Sequence, residues 1–244
     1  MIAPMRLLTA IPIYNEEQTI ELVLSAIVDH APGDVLVVDD GSTDRTPELL
    51  AAFPNVHVIR HERNRGYGAA LKTAFAHTLE GDYEGLVTLD CDGQHEPFRV
   101  PEIAGPLSDG VDIVSGSRYL TVFDPKQRPP EARRQINRVV TGWLNECLDM
   151  SLTDAFCGFK AYRASALALF DIVDEGYAMP LEVWVQAVRH EMSIVEVAVP
   201  LIYLDESRAF GGALDDADYR LAHYRSVLRE AIRRAGLTVG GGCR

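Results

Sequence analysis

Short apolar runs alternate with amphipathic stretches over the first 120 residues of the chain. The apolar runs predict five buried strands, at residues 7–13, 35–39, 56–60, 86–90 and 113–117. The stretches between them predict helices at residues 16–30, 43–53, 67–79 and 100–107. Strands that are apolar along their whole length are typical of a parallel sheet with helices on both faces. The pattern therefore predicts a three-layer α/β/α fold around a doubly wound, mostly parallel sheet.

Beyond residue 130 the predicted helices become longer and the strands shorter. Helices are predicted at residues 131–149, 164–173 and 180–190, and strands at residues 158–163 and 194–199. We expect this half to cover the edge of the sheet and to complete a second pocket. Residues 1–212 then form one domain, followed by a basic amphipathic helix and tail over residues 213–244.

The composition narrows the class of protein. The 244 residues are 47% hydrophobic and 24% charged, which suits one large domain. The net charge of −13 argues against a nucleic-acid partner, because phosphate contacts need a basic surface. No apolar run approaches the roughly 18 residues that cross a bilayer, so we expect a cytoplasmic protein or one that is peripheral on the cytoplasmic membrane face. The spacing of the four cysteines matches neither a zinc site nor a disulfide framework, so we expect reduced thiols.

The strand predicted at residues 86–90 ends in a group of oxygen donors. Asp90 and Asp92 lie one residue apart, and a turn at Gly93 brings Gln94 close to them. Ligands of parallel sheets bind beyond the carboxyl ends of the strands, where these side chains are expected. Three oxygen donors that leave coordination positions open suit Mg²⁺ or Mn²⁺ shared with a diphosphate. The alternative is a polar strand end that caps a helix at Pro97.

Two further segments follow predicted strands at the same edge. After the first strand, Tyr14 offers an aromatic face and Glu16 an acceptor for a nucleobase; alternatively, Asn15 only caps the next helix. After the second strand, Asp40 can hold a base or a ribose hydroxyl; alternatively, residues 39–44 only form a turn with a helix cap.

Several motifs occur in the order and approximate spacing of family-two glycosyltransferases. They are Pro12-x-Tyr14-Asn15-Glu16, Val38-Asp39-Asp40-Gly41-Ser42-x-Asp44-x-Thr46, Asn64-x-Gly66-x-Gly68-x-Ala70, Asp90-x-Asp92-Gly93-Gln94-His95-x-Pro97 and Gly116-Ser117-Arg118-Tyr119. The second half adds Arg133-x-x-x-Asn137, Asp154-x-x-Cys157-Gly158-Phe159, Glu182 and Arg208-x-x-Gly211. Over about residues 7–212 the chain resembles this family, and within it the dolichyl- or polyprenyl-phosphate mannosyl- and glucosyltransferases. The resemblance implies a GT-A, Rossmann-like fold in which residues 1–120 bind the nucleotide sugar and residues 121–212 bind the acceptor.

The resemblance also implies the residues of the donor site. The nucleoside pocket would be lined by Pro12, Tyr14, Glu16, Val38 and Asp40. The diphosphate would face Asp90, the backbone of Cys91, Asp92 and, at the far end of the chain, Arg208. The divalent ion, Mg²⁺ or Mn²⁺, would be held by Asp92 and Gln94. The resemblance implies that the donor is a nucleotide sugar of the GDP-mannose or UDP-glucose type.

The acceptor implied by the resemblance is a lipid phosphate, bound by Arg118, Arg133 and Asn137. In an inverting transfer to such an acceptor, the catalytic contributions would come from Asp92, Arg118 and Arg208. If the acceptor is instead a hydroxyl of a glycan or small molecule, Asp154 is the candidate base. A further alternative is a non-catalytic nucleotide-sugar-binding module, because the family's Ser-Lys pair after Arg208 is missing.

The predicted carboxyl-terminal helix has an apolar face beside a stripe formed by Arg225, Arg229 and Arg233. This pattern is typical of a helix that lies in an anionic membrane surface. It also fits a helix whose apolar face packs on the domain while the arginines are solvated.

Overall fold

The computed structural model describes residues 5–124, 131–202 and 212–238, without the side chains of residues 132 and 133. Within these ranges the strands are β1 Leu7–Ile13, β2 Asp34–Asp39, β3 His57–Arg60, β4 Gly85–Thr88, β5 Ile113–Ser117, β6 Lys160–Arg163 and β7 Ile194–Ala198. The α-helices are α1 Ile20–His30, α2 Thr46–Leu50, α3 Tyr67–Glu80, α4 Val100–Ser108, α5 Glu131–Leu148, α6 Ala164–Leu167, α7 Met179–Arg189 and α8 Ala217–Ala235. Each predicted strand is present, within two residues of its predicted bounds.

The seven strands form one sheet in the order β3-β2-β1-β4-β6-β5-β7. Strand β6 runs antiparallel to both of its neighbours, β4 and β5, and the other neighbouring pairs are parallel. The prediction of a mostly parallel sheet is confirmed.

Alternate side chains of the strands pack in two hydrophobic layers, one on each face of the sheet. On one face, Leu36 and Leu86 pack in a cluster that includes Trp184 of α7 and residues of α3, α5 and α8. On the other face, Val37 and Val87 pack with residues of α1 and α4. Both faces are therefore covered, which is why the strands are apolar along their length.

The carboxyl ends of four parallel strands lie at one edge of the sheet. Beyond β1, β2, β4 and β5 the chain continues into Tyr14, Asp40, Asp90 and Arg118, respectively. Because β6 is antiparallel, its amino end is at the same edge, and residues 154–159 precede it there. The topology thus brings five segments that are distant in sequence to one edge.

The helix predicted at residues 164–173 is wrong over most of its length, because α6 ends at Leu167. The following segment is held by Glu182 of α7, whose Oε2 accepts hydrogen bonds from the backbone N–H groups of Val173 and Asp174 at 2.7 and 2.8 Å. These N–H groups bond to a side chain from another helix, so they do not continue α6.

Helix α8 packs on the domain through its apolar face. Tyr224, Leu228, Ala231 and Ile232 are buried, and they belong to the cluster that contains α7. The packing alternative is therefore the correct one, and the expectation that this apolar face lies in a membrane surface is wrong. Among the described residues, no helix is both long enough and apolar enough to span a bilayer.

The expectation of reduced thiols holds for two cysteines and fails for a third. Cys91 and Cys157 are buried thiols. Cys147 is disulfide-bonded, so the expectation is wrong for this residue. Burial raises the pKa of the Cys157 thiol to about 11, which keeps it protonated at neutral pH.

Candidate active site

A cleft of about 650 Å³ opens at the edge where the parallel strands end. The residues assigned from the sequence that line it are Pro12, Tyr14, Glu16, Asp40, Asp90, Cys91, Asp92, Gln94, Arg118 and Asn137. They come from the end of β1, from segments that follow β1, β2, β4 and β5, and from helix α5. Most of the candidate donor and acceptor residues therefore share one cavity.

Tyr14 and Asn15 form the wall of the cleft beyond β1. The ring of Tyr14 is 43% exposed and can stack on a planar ligand. Asn15 has a positive φ of 56°, and its Oδ1 accepts a hydrogen bond from the backbone N–H of Thr43 at 2.8 Å. Helix α1 begins only at Ile20, so the alternative in which Asn15 caps this helix is wrong. Asn15 instead ties the loop after β1 to the loop after β2.

Asp40 lies where the cleft meets the loop after β3. Its carboxylate accepts hydrogen bonds from the backbone N–H groups of Arg65 and Gly66, at 3.0 and 2.7 Å, and its Oδ1 lies 2.6 Å from Nδ1 of His61. Asp40 therefore fixes a loop in addition to facing the cleft. The neighbouring Asp39 accepts a hydrogen bond from the backbone N–H of Ser42 at 2.8 Å, as the turn alternative requires.

Val38, which the sequence assigns to the nucleoside pocket, is fully buried in the hydrophobic core and is not part of the cleft lining. Its side chain packs with α3 and its neighbours because it is an interior position of β2.

Asp90 is held by two side chains that the sequence alone does not identify as its partners. Tyr67 donates a hydrogen bond from its hydroxyl to Oδ1 at 3.1 Å, and Nε2 of His95 lies 3.3 Å from Oδ2. Burial acts to raise the pKa of Asp90, but the hydrogen bonds from His95 and Tyr67 outweigh it and lower the pKa below its usual value. Asp90 is therefore an ionised carboxylate at the floor of the cleft.

Tyr67 also stacks on Tyr177, with ring centroids 5.7 Å apart and an interplanar angle of 15°. Both tyrosines line the cleft. They are functional candidates that sequence reasoning missed, because Tyr67 is the first residue of α3 and Tyr177 precedes α7, 110 residues later in the chain. Their pairing depends on the packing of two helices.

Asp92 and Gln94 follow Asp90 in a tight turn. The backbone N–H of Gln94 donates to Oδ1 of Asp92 at 3.0 Å, and both side chains are partly exposed to the cleft. Carboxylate and amide oxygens that are open on one side suit a hard divalent ion completed by diphosphate oxygens. The described residues contain no cluster of three or more His, Cys, Asp or Glu side chains that could hold a metal ion without a substrate. The oxygen donors of Asp92 and Gln94 fit Mg²⁺ or Mn²⁺ shared with a ligand.

Arg118, which lines the cleft, forms a two-pronged ion pair with Asp154. Nε of Arg118 lies 2.6 Å from Oδ2 and Nη2 lies 2.9 Å from Oδ1 of Asp154. Nδ2 of Asn137 donates to Oδ1 of the same carboxylate at 2.7 Å. The bidentate geometry fixes the plane of the guanidinium and leaves Nη1 outside the ion pair.

The environment of Asp154 makes it a poor base. The side chain is fully buried, and both oxygens accept hydrogen bonds. Burial acts to raise its pKa, but the charge and hydrogen bonds of Arg118 lower the pKa well below its usual value. An oxygen of this kind has little tendency to take a proton from a substrate hydroxyl.

A second cleft of about 620 Å³ adjoins the first and shares Arg118, Tyr119, Asn137 and Leu201 with it. Arg134 and Arg138, four residues apart on α5, also line it. The sequence predicted a second pocket but did not point to these two arginines, because helix periodicity does not reveal which side chains face a cleft.

Two assigned residues cannot be compared with the structure. Arg133 belongs to α5, but its side chain is outside the described residues, and Arg208 lies outside the described ranges. Their assignments stay predictions.

The fold and this cleft are those of a GT-A glycosyltransferase. Residues 9–170 match the family model described as Glycosyl transferase family 2, and the chain belongs to that family. It is 34% identical to undecaprenyl-phosphate mannosyltransferase of Micrococcus luteus over 96% of this chain and 100% of that protein. It is 30% identical to polyprenol monophosphomannose synthase of Mycolicibacterium smegmatis over 90% of this chain and 86% of that protein.

Among solved structures, the fold is similar to that of glucosyl-3-phosphoglycerate synthase from Mycobacterium tuberculosis in complex with Mn²⁺, UDP and phosphoglyceric acid. The TM-score is 0.72 at 22% identity, over 98% of this chain and 81% of that one. At this identity the likeness shows the fold alone.

Proposed function

We propose that this glycosyltransferase transfers a hexose from a nucleotide diphosphate sugar to a polyprenyl phosphate, with inversion at the anomeric carbon. The observation that carries the proposal is the oriented guanidinium of Arg118, which lines the same cleft as Asp90 and Asp92. The names of the two bacterial relatives, which refer to undecaprenyl phosphate and polyprenol, support the same acceptor class.

A phosphate acceptor needs positive charge more than it needs a base. A phosphate monoester oxygen is already anionic at neutral pH, so it can attack the anomeric carbon without losing a proton. Arg118 can bind the acceptor phosphate through Nη1 while Asp154 holds the rest of its guanidinium in place. Arg133 and Asn137 are the further residues proposed for this phosphate.

A hydroxyl acceptor is less consistent with the site. It would need a general base near the anomeric carbon, and Asp154 was the candidate. Asp154 is buried and bonded to Arg118 and Asn137, and its lowered pKa opposes proton uptake. The lipid phosphate is therefore the acceptor that we propose.

The donor would lie along the opposite part of the cleft lining. Tyr14 would stack on the base, with Glu16 and Asp40 as acceptors for its N–H groups or for the ribose hydroxyls. Asp92 and Gln94 would hold a divalent ion, Mg²⁺ or Mn²⁺, with Asp90 nearer to the ribose or sugar. When bound, such an ion neutralises charge that develops on the leaving diphosphate. Arg208 is proposed to contribute positive charge to the same group.

The proposal is tested by a transfer assay with the purified protein. GDP-mannose and UDP-glucose are each incubated with undecaprenyl phosphate in detergent, with Mg²⁺, Mn²⁺ or a chelator present. We expect a glycolipid phosphate that partitions into organic solvent, and NMR of its anomeric proton should show the configuration opposite to that of the donor. Transfer to a glycan hydroxyl, with none to the lipid phosphate, would refute the acceptor class.

A further inference from the structure

Large apolar side chains are exposed beside the mouth of the second cleft. Val122 is 75% exposed, and Leu120 and Phe123, from the same loop after β5, are 44% and 45% exposed. Phe98, which precedes α4, is 53% exposed. We call these four residues the apolar rim. Exposed apolar residues that are grouped together mark an interaction surface more often than isolated ones do.

Arg99 shows that the two parts of the apolar rim are contiguous. Its guanidinium carbon lies 5.3 Å from the ring centroid of Phe98 and 5.2 Å from that of Phe123. The charge of this arginine is balanced by Glu96 and Glu102, at 2.6 and 2.8 Å. Phe98 and Phe123 therefore flank the same guanidinium, and its charge is balanced by two carboxylates.

Basic side chains stand next to the apolar rim. Val122 and Phe123 line the second cleft together with Arg118, Arg134 and Arg138. Asp124 is the acidic residue in that lining. Arg118 is already paired with Asp154, so Arg134 and Arg138 of α5 supply the basic charge beside the rim, in a chain whose net charge is −13.

We infer that the apolar rim docks the protein on an anionic bilayer. The inference rests on the proposed function, because a polyprenyl phosphate resides in a membrane. Apolar side chains flanked by arginines match the layered chemistry of such a surface, with acyl chains below anionic headgroups. The second cleft runs from the rim to Arg118, so docking here would present the lipid phosphate to the residue proposed to bind it.

The docking surface can be tested without any acceptor. Sedimentation with phosphatidylcholine vesicles that contain phosphatidylglycerol measures the partition coefficient of the protein. The double variant Val122→Ser with Phe123→Ser should partition at least about tenfold less than the parent, since both side chains would lose their apolar contact. Nucleotide-sugar affinity and the midpoint of thermal unfolding should stay close to those of the parent.

A matched control uses exposed apolar residues at the opposite edge of the sheet. Val58 lies on the edge strand β3 and is 45% exposed, and Leu79 lies near the end of α3 and is 40% exposed. The double variant Val58→Ser with Leu79→Ser should bind vesicles as the parent does. Equal losses in both double variants would overturn the inference.

A single variant gives a direct reading of insertion. Val122→Trp should show a blue shift of its fluorescence emission on addition of the anionic vesicles, after subtraction of the parent's signal from Trp143 and Trp184. An unshifted emission, or a parent protein that does not sediment with the vesicles at low salt, would overturn the inference and leave a protein partner for this surface. The vesicles contain no acceptor, so this result is independent of the detergent assay that tests the proposed transfer.

Discussion

Gly158 lies directly against the carboxylate of Asp90, so that a Cβ atom at position 158 would stand only 2.6 Å from Cγ of Asp90. The loop before β6 therefore forms the support for the acidic floor of the cleft. The backbone carbonyl of Gly158 also accepts a hydrogen bond from the hydroxyl of Thr88, the last residue of β4, at 2.9 Å.

We expect Gly158→Ala to displace Asp90 and to reduce transferase activity at least about tenfold, with a loss of about 1–3 kcal/mol in the free energy of unfolding.

The control is Gly105→Ala in α4, where an added Cβ meets no atom within 4 Å apart from its two chain neighbours and the adjacent backbone of its own helix. That variant should keep full activity, and its free energy of unfolding should stay within about 1 kcal/mol of the parent's, because the higher helix propensity of alanine is opposed by the ring of the following Pro106. Activity assays and urea unfolding check both. Full activity in the Gly158 variant would contradict the support that we assign to this glycine.

The pair of Arg118 and Asp154 should behave as a unit. Arg118→Ala and Asp154→Asn should each lower the free energy of unfolding, by about 3–5 kcal/mol at most, because each leaves a buried partner unpaired. Each should also abolish transfer to the lipid phosphate while nucleotide-sugar binding survives. The double variant should be less destabilised than the sum of the two single ones. Additive losses, measured in a double-mutant cycle by urea unfolding, would show that the pair is not coupled.

Acid should destabilise the protein partly through Asp154. Its pKa in the folded state is below the usual value of 3.8, so the pairing with Arg118 stabilises the fold above that pH. The stabilisation is lost as the pH falls below about 4 towards the folded-state pKa, because the unfolded chain then binds a proton more readily. An aspartate in the unfolded chain has a pKa of about 4. Urea unfolding at a series of pH values should therefore show that the free energy of unfolding declines less steeply below about pH 4 for Asp154→Asn than for the parent. An identical decline in both proteins would contradict the assignment.

Removing the charge of Asp92 should weaken the donor site more than the fold. We expect Asp92→Asn to lose the part of nucleotide-diphosphate affinity that depends on Mn²⁺ or Mg²⁺, because an amide oxygen is a weaker ligand for a hard cation. The thermal midpoint without ligand should change little, since the side chain is partly exposed. Calorimetric titration with and without a chelator measures the effect. An unchanged metal-dependent affinity would exclude Asp92 as a ligand.

Helix α8 should contribute to stability more than to membrane binding. Leu228→Ala should cost about 2–5 kcal/mol in the free energy of unfolding, because Leu228 is 3% exposed in a packed cluster. Arg229 is the next residue and is exposed, so Arg229→Gln should change the free energy of unfolding by less than about 0.5 kcal/mol. Urea unfolding compares the two variants. A neutral Leu228 variant would contradict the packing of this helix.

Much of the fold could be predicted because its signals are local. The apolar run at residues 7–13, for example, coincides with β1, because a strand that is covered on both faces is mostly apolar along its length. The same locality explains the error at residues 164–173. Their pattern resembles a helix, but a carboxylate from α7 binds the backbone of Val173 and Asp174, and no local pattern carries that information.

By itself, the sequence determined most of the elements, the three-layer class and a set of candidate site residues, because each depends on neighbours along the chain or on a motif within a few positions. Only the tertiary structure decided which of these residues meet. It reversed β6, which brought Asp154 to Arg118 from 36 residues away and placed Gly158 under Asp90. It also buried the apolar face of α8 and exposed the rim at Val122. The physical reason is that a hydrophobic side chain gains the same free energy against any apolar surface, so its presence does not specify its partner.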